Sequence, residues 1–372
     1  MSMTSSYVRF PLTVLVLLAH LNFAGRGFAI HGEWYGLNMP LWGQWIIDFF
    51  GHSIRGIVVQ IFMLLSGYFF FYKKTFTTEV YKKNIKKRFR TLVVPYLLWN
   101  TLAILCIAIR FLPIFSNILP GMDQVKVNLT PLAFLYTYFD FFHEDALFVY
   151  PDTPIRDTAM PIDAPLWYLR ELMVLCLISP LFYWLIKKLK AWSLLIWALV
   201  SFVITPCFFT GWLYMQFVLS FYFALGAYYS LNGKNFVTEL RKYPWTIWVW
   251  LAIVIADNFS IDMPWRNFLY YAGGPFGCVA GIIITAWLIE KKGYRLPEII
   301  LNSSFFVYAL HMLFMWDLCK ALFVLLHLND NTWVLIAFYF FGVILTYAIC
   351  VAIYSLMGKV CPGFRRLLTG GR

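Results

Sequence analysis

Charge is scarce in this sequence: only 13% of its 372 residues carry it, against roughly a quarter in an ordinary soluble domain. Two or three soluble domains, which the length alone would allow, are excluded. A hydrophobic share of 61%, with 20% aromatic residues, leaves too little polar surface to face water. Disorder is excluded by the same figures, since its signature is low hydrophobicity. The seven cysteines (106, 176, 207, 278, 319, 350 and 361) form no CxxC and no even set. They read as small apolar residues rather than a disulfide framework or zinc site, and no metal is expected. No HExxH, no GxSxG and no phosphate-binding glycine loop before a helix is found, which removes the corresponding protease, hydrolase and nucleotidase classes. The N-terminus lacks a basic region and a small-residue cleavage site, so its first apolar run is expected to be a retained helix.

What the chain does have is long apolar runs. About twenty apolar residues cross a bilayer as a helix, and ten stretches fit: 10–29, 53–72, 92–112, 166–186, 192–209, 212–231, 245–256, 268–289, 303–327 and 333–356. They are not short alternating segments, so a barrel is excluded, and helices remain the only spanning form. The expected fold is an all-α polytopic membrane protein with about ten transmembrane helices, as one domain over 1–372.

The net charge of +12 does not point to nucleic acid, because Lys and Arg sit in short runs between apolar stretches. With both termini cytoplasmic, the inside segments hold 22 of the 30 basic residues, and only Lys126, Arg156 and Arg266 fall outside. This is the positive-inside bias of a multi-pass protein. The longest outside segment, 113–165, carries Asp123, Asp140, Glu144, Asp145, Asp152, Asp157 and Asp163. It reads either as a solvated acidic loop or as a lid or binding surface.

Polar residues inside a membrane are costly and are therefore functional candidates. Arg9 and His20 lie eleven steps apart, which is about 16 Å along a helix and close to three full turns. Their side chains point to nearly the same side, with Pro11 in the first turn and Arg9 at the cytoplasmic edge. A lone histidine is more often a satisfied core residue; the aligned arginine argues for more. Ser66 and Gly67 suit close helix packing. Lys82, Lys83, Lys86 and their neighbours suit anionic lipid contact, while Lys87 and Arg90, three apart, can pair as phosphate clamps. Arg170 and Glu171 either snorkel or line an outward-facing cavity. His311 lies some way into the ninth stretch, within possible reach of the His20 level.

Five segments, in order along almost the whole chain, resemble the acyltransferase 3 family of bacterial membrane acyltransferases. They are Arg9 followed after ten residues by His20; Phe62-Met63-Leu64-Leu65-Ser66-Gly67-Tyr68; Lys87-Arg88-Phe89-Arg90 before Pro95-Tyr96; Leu166-Trp167-Tyr168-Leu169; and Ser304-Phe305-Phe306-Val307-Tyr308-Ala309-Leu310-His311. The resemblance implies a ten-helix enzyme of the bacterial inner membrane. It implies acyl-CoA, acetyl-CoA by default, as a cytoplasmic donor rather than a permanent cofactor. The acceptor it implies is a surface glycan, a lipid-linked sugar or a similar hydroxyl compound. His20 is then the catalytic histidine, and Arg9, Lys87 and Arg90 hold the donor phosphates. Ser66, Tyr68, Tyr308 and His311 are candidates to orient His20 or to donate to an oxyanion, with Arg170 as a further support. Two departures stand out. Lysine occupies position 87, where the family usually has the bidentate arginine, and the chain is expected to lack the extracytoplasmic hydrolase-like domain of some members. The alternative class is a secondary transporter or flippase for a glycan or organic anion, but the two related halves typical of transporters are not visible.

Overall fold

Residues 2–20 are helical except for one turn at Val8. Helix α1 covers Ser2–Tyr7 and α2 covers Arg9–His20. The computed structural model describes residues 2–21, 28–30, 33–35, 38–72, 75–112, 125–149, 159–209 and 211–371. Arg26, Asp123, Asp152, Arg156 and Asp157 lie outside the described residues. The expected helix over 10–29 is corrected, because Phe28–Ile30 is a strand, β1, paired antiparallel with β2, Glu33–Tyr35. Gly25 and Gly27 stand just before it, and each glycine costs about 1 kcal/mol in a helix interior. The helical run also begins earlier than expected, so a short helix precedes Arg9.

Helix α3 runs Leu41–Phe71, but Phe49–Ser53 within it is a π-helical turn and Arg55–Ile57 a 3-10 turn. Helix α4, Thr78–Arg110, holds a second π turn at Phe89–Val93. Helix α5, Pro131–Phe139, lies between β3 (Lys126–Val127) and β4 (Phe148–Val149), which pair antiparallel. Then come α6 (Trp167–Leu177), α7 (Ser179–Leu189), α8 (Trp192–Phe208), α9 (Gly211–Leu231) and α10 (Phe236–Leu240). The chain ends with α11 (Thr246–Asn258), α12 (Arg266–Lys291), α13 (Glu298–Leu325), α14 (Thr332–Val360) and α15 (Pro362–Leu368).

Among the described residues, five helices are long and apolar enough to cross a membrane: α3, α4, α12, the Glu298–Met315 part of α13, and α14. A sixth arises if α6 and α7, bent by 58°, form one span. The expected uninterrupted helix over 166–186 breaks at Ile178. Pro180 opens α7, and proline has no N–H and clashes with the preceding turn. Helices α8 and α11 are apolar but shorter.

The residues sort into two compact units, Met1–Leu65 with Asn232–Val360, and Ser66–Leu231 with Cys361–Arg372. In the first unit α2 packs against α13, α14 and the π turn of α3. Thr13 Oγ1 donates to the Arg9 carbonyl of its own helix at 2.8 Å, with the Ser304 carbonyl a weaker second acceptor at 3.4 Å, and the Tyr339 hydroxyl donates to the Leu18 carbonyl at 2.7 Å. Helix α12 offers Gly273, Gly277 and Gly281, one every fourth residue, and a Cβ on Gly277 would overlap Ile57 and Trp250. Small residues at this spacing let helices approach closely.

In the second unit, a Cβ on Gly67 would collide with the Phe223 backbone of α9, so Gly67 is a packing residue. Trp99 Nε1 donates to the Leu368 carbonyl at 3.0 Å, docking α15 on α4. The described part of the 113–165 segment is more than a solvated loop. Val125, Leu147 and Phe148 form a small core with Ile104, Ile107, Phe141 and Ile162 packed on it. All seven cysteines are free, four of them buried.

Candidate functional site

The first unit brings two of the expected site residues together. The rings of His20 and His311 lie 5.3 Å apart between centroids, with planes inclined by 53°. Helix α2 presents His20 as its last residue and helix α13 supplies His311; the bond from Tyr339 to the Leu18 carbonyl holds α2 in place. His20 is half-buried, whereas His311 is fully buried. His311 Nδ1 lies 2.8 Å from the Tyr308 carbonyl and 3.3 Å from the Val307 carbonyl. A carbonyl only accepts, so in the neutral ring Nδ1 carries the proton and Nε2 a lone pair. Among the described residues, nothing hydrogen-bonds Nε2. Half of His311 is thus a satisfied core histidine, and the other half is an acceptor held beside a second imidazole. Tyr308 enters this arrangement through its backbone carbonyl, a role that side-chain reasoning does not register.

Arg9 opens α2, half-buried. With α1 ahead of it, it lies one short helix inside the helical run rather than at its start.

The remaining expected residues belong to the second unit. Ser66 Oγ and the Tyr168 hydroxyl are 3.2 Å apart, so two of the five segments of the sequence pattern meet there. Tyr68 is buried, its ring 5.3 Å from that of Tyr72. Lys87 and Arg90 are both exposed. They were expected to share an α-helical face, but the π turn at Phe89–Val93 begins between them. A π turn holds more residues than an α turn, so the plain three-residue register is shifted there. Arg88, between them, turns toward the ring of Phe70, 5.8 Å away.

Arg170 is 6% exposed and Glu171 0%. Arg170 Nε donates to Glu171 Oε1 at 2.8 Å, and its terminal nitrogens reach the Phe139 carbonyl and, at 3.0 Å, the Ala159 carbonyl. Arg170 therefore ties the 113–165 segment to α6 rather than snorkelling. Close by, the Asp163 N–H donates to Asn100 Oδ1 at 3.1 Å. Both Asp163 carboxylate oxygens are buried without a hydrogen-bond partner among the described residues. Burial pushes the Asp163 carboxyl well above the usual carboxylate range.

Sequence reasoning missed a half-buried polar cluster on the irregular part of α3, with Ser53 and Asp257 buried at its centre. Ser53 Oγ donates to Asp257 Oδ2 at 2.6 Å, His52 Nε2 lies 3.9 Å from the same oxygen, and Arg266 pairs with Asp48. A histidine and an aspartate immediately flanking two apolar stretches, 53–72 and 245–256, were the signal that could have found it.

A family described as an acyltransferase domain matches residues 6–355, nearly the whole chain. The chain belongs to the acyltransferase 3 family. It is similar to the succinoglycan biosynthesis protein ExoH of Rhizobium meliloti (strain 1021), with 26% identity over 348 residues that cover 88% of this chain and 83% of that protein. No solved structure matches significantly. As a member of this family the protein is an enzyme that transfers acyl groups, and its long apolar helices make it a membrane protein.

Proposed function

We propose that this acyltransferase takes an acyl group from cytoplasmic acyl-CoA, acetyl-CoA first, and places it on a hydroxyl of a surface glycan or lipid-linked sugar. The observation that carries this reading is a histidine of the Arg-x10-His pattern facing a buried second imidazole in an acyltransferase. The named role of the relative in succinoglycan biosynthesis supports a glycan acceptor. Ten spans in the bacterial inner membrane, with both termini cytoplasmic and the whole chain as one functional domain, complete the proposal. The distribution of Lys and Arg supports that orientation.

His20 acts as general base on the acceptor hydroxyl, which attacks the thioester carbonyl; a transient acyl-imidazole at His20 is the other route. Arg9, Lys87 and Arg90 are assigned to the donor phosphates through charge-assisted hydrogen bonds. Ser66, Tyr68 and Tyr308 are kept as supports. The test is purified protein with labelled acetyl-CoA and separated cell-envelope fractions. Label in a glycan or lipid-linked sugar fraction, with free CoA released, is expected. Proteoliposomes that move a glycan between compartments, without CoA release on any fraction, would instead establish a transporter.

A further inference from the structure

His311 carries one more inference, which rests on the acyl-transfer reading of His20. Its ring is 0% exposed, so bulk water is not its partner. The Tyr308 carbonyl holds the proton on Nδ1 and leaves the Nε2 lone pair unmatched among the described residues. A buried polar group left unpaired is destabilising, and in a native structure such a group calls for a reason. The neighbouring ring is His20, at 5.3 Å between centroids. Each ring nitrogen lies about an ångström from its centroid, so at this separation a nitrogen of each ring, turned toward the other, comes to hydrogen-bond distance.

We infer that His311 is a positioning residue for His20: its Nε2 lone pair accepts the His20 ring N–H, and the other His20 nitrogen keeps a lone pair for the reaction. The logic is that of a base oriented by a third group. As the acyl–oxygen bond forms and the acyl–sulfur bond breaks, the proton of the acceptor hydroxyl passes to the unprotonated nitrogen of His20. The resulting imidazolium stays bonded to His311 through its other N–H. It then returns the proton to the leaving thiolate, so His311 neither gains nor loses a proton over the cycle.

The full chain, labelled with [15N]histidine in lipid nanodiscs, tests this without relying on turnover. There are six histidines, and the signal missing from His311→Gln identifies position 311. The expected spectrum shows His311 protonated on Nδ1, and His20 as one neutral tautomer in the parent and in His311→Gln. In His311→Leu, which offers no acceptor, His20 should average between tautomers. An Nε2–H tautomer at His311, or a His20 signal indifferent to His311→Leu, overturns the inference. Acetyl transfer gives a second readout. His311→Leu should lower kcat about a hundredfold or more with CoA binding unchanged, while His311→Gln returns to within about tenfold of the parent. Parent-like kcat in His311→Leu also overturns it. A parent that transfers no acetyl sinks the donor reading instead, and the tautomer measurement still decides the role of His311.

Discussion

In the second unit, the buried Arg170 guanidinium reaches Glu171 and two backbone carbonyls of the 113–165 segment. In the first unit, the buried His311 ring satisfies one nitrogen on its own helix, and its other nitrogen has no hydrogen-bond partner among the described residues, with the His20 ring close by. Both residues stood out as polar groups in apolar sequence. What separates them is the number of partners. A charge matched on every side holds structure together, because removing one partner strands the others. A buried acceptor with no hydrogen-bond partner among the described residues, beside a second imidazole, is instead the kind of group proposed above to serve the chemistry.

The largest effect should come from the histidine side of that contrast. His20→Ala is expected to lower kcat by roughly two to four powers of ten while CoA binding, measured directly, stays near the parent value. Near-normal turnover in a protein that inserts and stays monodisperse would remove His20 from the chemical step.

Arg170→Ala should act on stability first. It leaves Glu171 buried without its cation, a change that costs about 3–5 kcal/mol in buried pairs, and it frees the Phe139 and Ala159 carbonyls. A large drop in Tm in detergent is expected, with residual activity in whatever protein remains folded. An unchanged Tm with lost activity would reverse the comparison and make Arg170 a site residue.

Arg90→Ala concerns the exposed cations, which belong to neither buried cluster. Charge-assisted contacts of this kind are worth about 1.5–3 kcal/mol, so CoA should bind roughly ten- to a hundredfold more weakly, with kcat at saturating donor little changed. CoA binding equal to the parent would take Arg90 out of the donor site.

The smallest effect sharpens the comparison inside the second unit. The folded state holds Asp163 protonated above the pH at which an unfolded carboxyl ionises, near 3.9. The folded state thus binds the proton more tightly, and stability falls as pH rises from that value through the raised folded one. Asp163→Asn removes this loss. Its Tm should exceed that of the parent by a few degrees at pH 7 and converge with it near pH 4. A gain of equal size at both pH values would mean that the amide acts by new hydrogen bonds and not through the proton.

Much of this was legible beforehand, and the gaps have local causes. All-α membrane architecture follows from run length and composition, which no tertiary contact alters. Helix ends were less secure. The first helix stops at His20, the fourth stretch breaks before Pro180, and π turns interrupt α3 and α4. A hydrophobic run does not distinguish α from π geometry, since a stretch that is apolar all round has no face to mark a shift of register. Lys87 and Arg90 illustrate the consequence, because their spacing was counted on an α-helix that turns π between them.

The sequence by itself determined the solvent, the helical class, the family and the short roster of polar residues worth attention, because each is written in composition or in a local pattern. Only the tertiary structure decided how those residues are used. It set His20 beside a histidine from α13, gave Arg170 its carbonyl partners, buried the Asp163 carboxyl with no hydrogen-bond partner among the described residues, and assembled Ser53, His52 and Asp257 into one cluster. The physical reason is that a buried polar group takes its free energy from its partners, and those partners come from helices far apart along the chain.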